Sequence, residues 1–215
     1  MPLRPTAIAF KRYALLSMPG LLHRYYDQID IINNLPNHHF TLTRWGLKFG
    51  MCRGLANLWL SQYTPTAHPN AGLGFSVTMR LALGNNRINV DNAMSTIRNI
   101  HVQTNALFKT NTGIINEQTL TATNFSTATA VHNLAQFLRT QGLYHIHLDF
   151  IRGQHILAAR TNFWGTTFYE PNGGIVSGAR VLHLFLQYYL KNPWVKKKYS
   201  WYPGSPASLT AYRWT

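Results

Sequence analysis

Apolar positions along this chain change period part-way through it. Met51, Leu55, Leu58 and Trp59 recur at helical spacing, which predicts a helix from about Met51 to Tyr63. Pro65 through Gly74, with its prolines and glycines, reads as a loop. Helical patterns return over Asp91–Phe108, where Asp91 or Asn92 would cap, and over Ser126–Thr140. In the latter, Val131, Leu134, Phe137 and Leu138 line one face before Gln141-Gly142 ends it. A shorter helix is expected at Leu21–Ile32, closed by Asn33-Asn34 and Pro36. Beyond Gly142 the period becomes two. Tyr144–Phe150 alternates polar with apolar, and His155–Thr161 and Trp164–Tyr169 are β-rich runs joined by Asn162-Phe163, a predicted hairpin. Pro171–Gly174 is a turn, Ala179–Lys191 an apolar closing helix, and Asn192–Thr215 a basic, aromatic tail. Helices first and a small antiparallel sheet last make the expected class α+β.

Composition narrows the picture. A chain of 215 residues supports one substantial core or two small ones, and 46% apolar content excludes wholesale disorder. One cysteine excludes an intrachain disulfide and a thiolate zinc cluster. Residues 1–30 carry Arg4, Lys11, Arg12 and Arg24 around an apolar stretch broken by Pro19, which does not resemble a secretory signal. Gly54–Met79 lacks charge but holds Pro65 and Pro69, and Val181–Leu190 is too short to cross a bilayer, so a soluble protein in a reducing compartment is expected. A net charge of +14 points to an anionic partner without choosing among them.

The candidate chemistry starts at the single thiol. Cys52 falls on the first turn of a predicted helix, and the helix start, Lys48 and Arg53 all favour thiolate. His155 stands at a strand start far downstream, and Glu170 ends the paired strand, where an acid can face a histidine across the hairpin. With six acids in the chain (Asp27, Asp30, Asp91, Asp149, Glu117 and Glu170), one so placed beside a histidine is informative. Taken singly, Cys52 reads as a small buried hydrophobe, His155 as one of ten histidines, and Glu170-Pro171-Asn172-Gly173 as turn chemistry. Taken in order, they supply a nucleophile, a base and a group that orients the base. A competing set exists: His145, His147 and Asp149 alternate on one strand face with His155 nearby, as zinc or iron ligands would. The plainer reading of that face is a solvated one opposite Ile146, Leu148 and Phe150. Gly72-Leu73-Gly74 is a loop, since Val77 stands where a dinucleotide fingerprint needs glycine.

Three segments resemble the motif blocks of the YopT/AvrPphB-type cysteine proteases, bacterial effectors with a papain-like fold: Cys52…Gly54-Leu55…Leu58-Trp59-Leu60, Gly153-Gln154-His155-Ile156-Leu157-Ala158, and Phe168-Tyr169-Glu170-Pro171-Asn172-Gly173-Gly174. The family's third block carries Asp where this chain has Glu170, and an apolar helix follows it, as Val181–Leu190 would. Papain-like enzymes also place an amide side chain shortly before the cysteine. Thr43–Phe49 holds no Asn or Gln, leaving the Cys52 N–H and a donor such as Trp45 for an oxyanion. Residues 1–40 read as an N-terminal extension and 192–215 as a tail, and the resemblance implies a papain-like catalytic domain over 41–191. It implies Cys52 as nucleophile, His155 as general base and acid, and Glu170 as orienting acid, with no cofactor and no metal. It implies a secreted virulence effector, a thiol protease delivered by a non-classical route to the host cytoplasm, with a host protein as substrate. Lys196, Lys197 and Lys198 among aromatics suit an anionic membrane surface. Nucleic acid is not expected, as no binding motif for it is present. The alternatives are a deamidase, transglutaminase or acyltransferase using the same three residues, or a non-catalytic basic module that binds membrane or nucleic acid.

Overall fold

The computed structural model describes residues 8, 12, 22–33, 51–123, 128–150, 153–179, 192, 193, 197 and 208–215. The chain divides into two compact units, Met1–Tyr26 with Asn116–Thr215, and Asp27–Ile115.

The first unit is a seven-stranded sheet with a helix on one face. Its strands are β1 (Leu22–Arg24), β2 (Glu117–Thr123), β3 (Gly142–Phe150), β4 (Gly153–Asn162), β5 (Gly165–Glu170), β6 (Gly174–Ala179) and β7 (Ser208–Trp214). They lie in the order β1-β6-β5-β4-β3-β7-β2, and every neighbouring pair is antiparallel. The class is therefore α+β, with a larger sheet than the pattern of residues suggests. The predicted hairpin pairs Asn162 with Gly165 around a two-residue tip, Phe163-Trp164. The 192–215 segment, read as a tail, supplies β7 between β3 and β2. Near the other end of the chain, β1 replaces the first part of the helix expected at Leu21–Ile32. It forms because it pairs with β6, Arg24 opposite Ile175. At Gly174 a Cβ would lie 2.1 Å from the Arg24 carbonyl oxygen and φ is +122°, so this approach admits only glycine. The closing helix expected over Ala179–Lys191 lies outside the described residues apart from Ala179, which ends β6.

The alternation in β3 and β4 decides which side chains reach the core. Tyr144, Ile146, Leu148, Leu157, Ala159, Phe168, Val176, Leu209 and Ala211 form one buried layer. A helix, Ala128–Phe137, covers it with Ala130, Val131, Leu134 and Ala135, and Leu138 follows. The Tyr144 hydroxyl reaches the carbonyls of Phe137 and Thr140, closing the helix end, and burial raises its pKa.

The second unit is helical: α1 (Gln28–Asn33), α2 (Cys52–Leu60) running into a 3-10 turn at Ser61–Tyr63, α3 (Phe75–Ala82), α4 (Arg87–His101) and α5 (Asn105–Asn111). The helix on the sheet, Ala128–Phe137, is α6. One helix expected over Asp91–Phe108 is two. Asn86, not Asp91 or Asn92, caps α4 by accepting the Asn89 N–H, and Thr104 caps α5 by accepting that of Leu107. Helix α2 crosses α4 at Gly54, where a Cβ would stand 2.6 Å from the Ile97 carbonyl oxygen. Among the described residues no helix is long and apolar enough to cross a membrane.

Candidate active site

The sheet unit places His155 and Glu170 together. His155 lies opposite Leu148 in the β3–β4 register, so its ring is on the face that α6 covers, in line with Leu157 and Ala159. Glu170 closes β5, two residues beyond Phe168 on that face. Its Oε1 is 2.5 Å from His155 Nε2, and the two residues are 0% and 3% exposed. A buried carboxylate must be compensated or it is prohibitively unfavourable. Here it also accepts the Asn172 backbone N–H at 3.0 Å, with the Asn172 side-chain amide at 3.3 Å and that amide's nitrogen 3.4 Å from His155 Nε2. The turn that brings Asn172 back is closed by the Gly173 N–H on the Glu170 carbonyl at 2.9 Å. The Glu170 side chain thus folds back against its own turn. Asn172 was legible only as a turn residue.

Cys52 belongs to the helical unit and is the first residue of α2, 7% exposed. The helix lacks a side-chain cap from its own N-cap residue, Met51. Other parts of the unit serve instead. The Gln28 carboxamide oxygen accepts the Met51 N–H at 2.6 Å, and His101 Nδ1, from the end of α4, accepts the Gly54 N–H at 3.1 Å. Accepting at Nδ1 requires that nitrogen to be unprotonated. Burial, with Arg53 beside the ring, pushes the His101 pKa down from 6.5 to about 4. Gln28 and His101 both act on this helix start and neither is legible there from sequence, since they are distant in the chain and come from separate helices. Lys48 and Trp45 lie outside the described residues.

The competing metal set does not form. His155 projects to one face of the sheet, and His145 and His147, opposite Ala158 and Ile156, project to the other. That second face is not solvated: His145 and His147 are 0% and 7% exposed. His147 Nε2 and His145 Nδ1 are 2.7 Å apart, His145 stacks on Trp214, and His147 meets Tyr212 edge-on. Asp149 instead accepts from the Gln154 side chain at 2.6 Å. Among the described residues no group of three or more His, Cys, Asp or Glu is arranged to hold a metal ion.

No protein-family model matches the chain. No curated protein matches it either. Among solved structures it is similar to the crystal structure of the Pseudomonas avirulence protein AvrPphB, at 16% identity and a TM-score of 0.46, over 79% of this chain and 93% of that one.

Proposed function

We propose that the protein is a thiol hydrolase, and most specifically a cysteine protease acting on a host protein, in which Cys52, His155 and Glu170 work as one set. The observation that carries this is the buried cluster of His155, Glu170 and Asn172. A histidine whose Nε2 is committed to a carboxylate is fixed in orientation, and its protonated form is stabilised. Nδ1 is then the nitrogen that exchanges a proton with the thiol. The Cys52 sulfur bonds to the substrate carbonyl carbon, and the carbonyl electron pair moves onto oxygen. His155 delivers a proton to the amine as the C–N bond breaks. The same histidine then takes a proton from water, whose oxygen displaces the sulfur from the thioester.

Gln28 completes this proposal. Its oxygen accepts the Met51 N–H beside Cys52, and we infer that its amide NH2 serves as an oxyanion donor. It takes the role that Thr43–Phe49 lack a residue to fill.

The test uses the lone thiol, since any thiol alkylation must be at Cys52. Iodoacetamide labelling at neutral pH is expected to be faster than for a free thiol, and to slow in Glu170→Gln. N-terminal profiling of host lysate should give new N-termini with wild type and none with Cys52→Ala. Gln28→Ala should lower turnover about 100-fold or more while leaving labelling intact. Substrates gaining about one dalton without new termini would transfer the same residues to deamidation, and labelling no faster than a free thiol would remove the hydrolase.

A further inference from the structure

The β4–β5 hairpin ends in two adjacent aromatic residues with almost no cover. Phe163 and Trp164 are 83% and 84% exposed, more than any other large apolar side chain among the described residues. Their rings meet edge-on, 5.4 Å apart at 86°. The base beneath them is held by hydrogen bonds. Thr161 and Thr166 are buried and 3.0 Å apart through their hydroxyls, Thr161 also donates to the Leu138 carbonyl at the end of α6, and Asn162 Oδ1 accepts the Trp164 N–H. Exposing two such rings on an ordered turn is unfavourable in water, and nothing in the packing of the turn requires them.

The charge around the tip is positive on both sides of the sheet. Arg160 lies opposite Leu143 and Arg213 opposite Tyr144, so these two arginines point to opposite faces. Both are partly exposed, and Arg139, just past α6, is exposed. The acid in this row is Glu117, paired with Trp214 and accepting its indole N–H at 2.9 Å. Aromatic rings, Trp above all, favour the boundary between headgroups and acyl chains, and arginines beside them favour anionic headgroups. A narrow two-ring wedge suits a layer that parts around it. We propose that the Phe163-Trp164 tip inserts into the interface of an anionic lipid bilayer, with Arg139, Arg160 and Arg213 on the headgroups. The proposal rests on residues other than Lys196–Lys198 and does not depend on the hydrolase assignment.

The experiment is co-sedimentation of the full chain with vesicles of phosphatidylcholine, alone or with about 30 mol% phosphatidylserine, at about 0.1 M salt. Wild type should bind the anionic vesicles preferentially, and Phe163→Ala/Trp164→Ala should bind them about tenfold more weakly, although its charge is unchanged. Trp164→Phe should bind as wild type does, yet lose most of the fluorescence quenching by lipids brominated on their acyl chains. Equal binding by the double variant, equal affinity of wild type for neutral vesicles, or unaltered quenching in Trp164→Phe each overturns the proposal. So does a dimer in sedimentation velocity that the double variant abolishes, which would assign the tip to a second copy of the chain.

Discussion

At Glu170 a single carboxylate accepts from a histidine ring and a backbone N–H, all away from solvent. The strength of this arrangement lies in what its removal would leave. His155→Ala strands a buried anion and costs about 3–5 kcal/mol, so its loss of activity would mix folding with chemistry. Glu170→Gln keeps shape and hydrogen bonding but not charge. It is expected to lower kcat by about 100-fold or more while thermal melting shifts by only a few degrees, as read by calorimetry beside a peptide assay. The pairing of His155 with Glu170 was legible, because acids are scarce and the two residues sit on strands joined by a short, well-marked turn. Asn172 was not, because its backbone N–H is one that every residue but proline has, and its side-chain amide reads locally as turn chemistry.

Helix α2 shows how an element depends on residues outside it. Its N-terminus is satisfied by Gln28 and His101, and its crossing of α4 runs through Gly54. The folded chain holds His101 neutral to about pH 4, whereas an unfolded chain protonates it near 6.5. As pH falls from 6.5 towards 4 the unfolded state gains the proton first, so stability is lost across that window, by on the order of 2 kcal/mol from this residue. His68, also lowered by burial, adds to the loss in the same direction. Urea midpoints at pH 7 and pH 5 check this. Wild type should drop between them, and His101→Gln, whose amide oxygen accepts without titrating, should drop less. The helix itself was plain from its apolar spacing. Helix α3 carries the same signal in Phe75, Met79 and Ala82, but it follows a glycine-rich loop that masks its start.

Across the whole molecule, the +14 charge and the exposed tip act by different physics. Charge is screened by salt, whereas transfer of aromatic surface is not. Binding of wild type and of Phe163→Ala/Trp164→Ala to anionic vesicles should therefore weaken in parallel from about 0.05 to 0.5 M salt, their ratio staying nearly constant. Titrating both proteins at each salt concentration would show convergence if the rings contribute only through nearby charge.

Periodicity alone was enough for the α+β class, the helix bearing Cys52 and the hairpin bearing His155 and Glu170, since each depends on contacts within a few turns or one short loop. Folding alone decided that residues read as a tail form β7 inside the sheet, and that residues read as helix form β1 at its edge. A strand acquires its structure from a partner, and no local spacing names a partner that lies far along the chain. The same reason buried the His145–His147 face that alternation left open to water, because alternation separates two faces without stating what covers either.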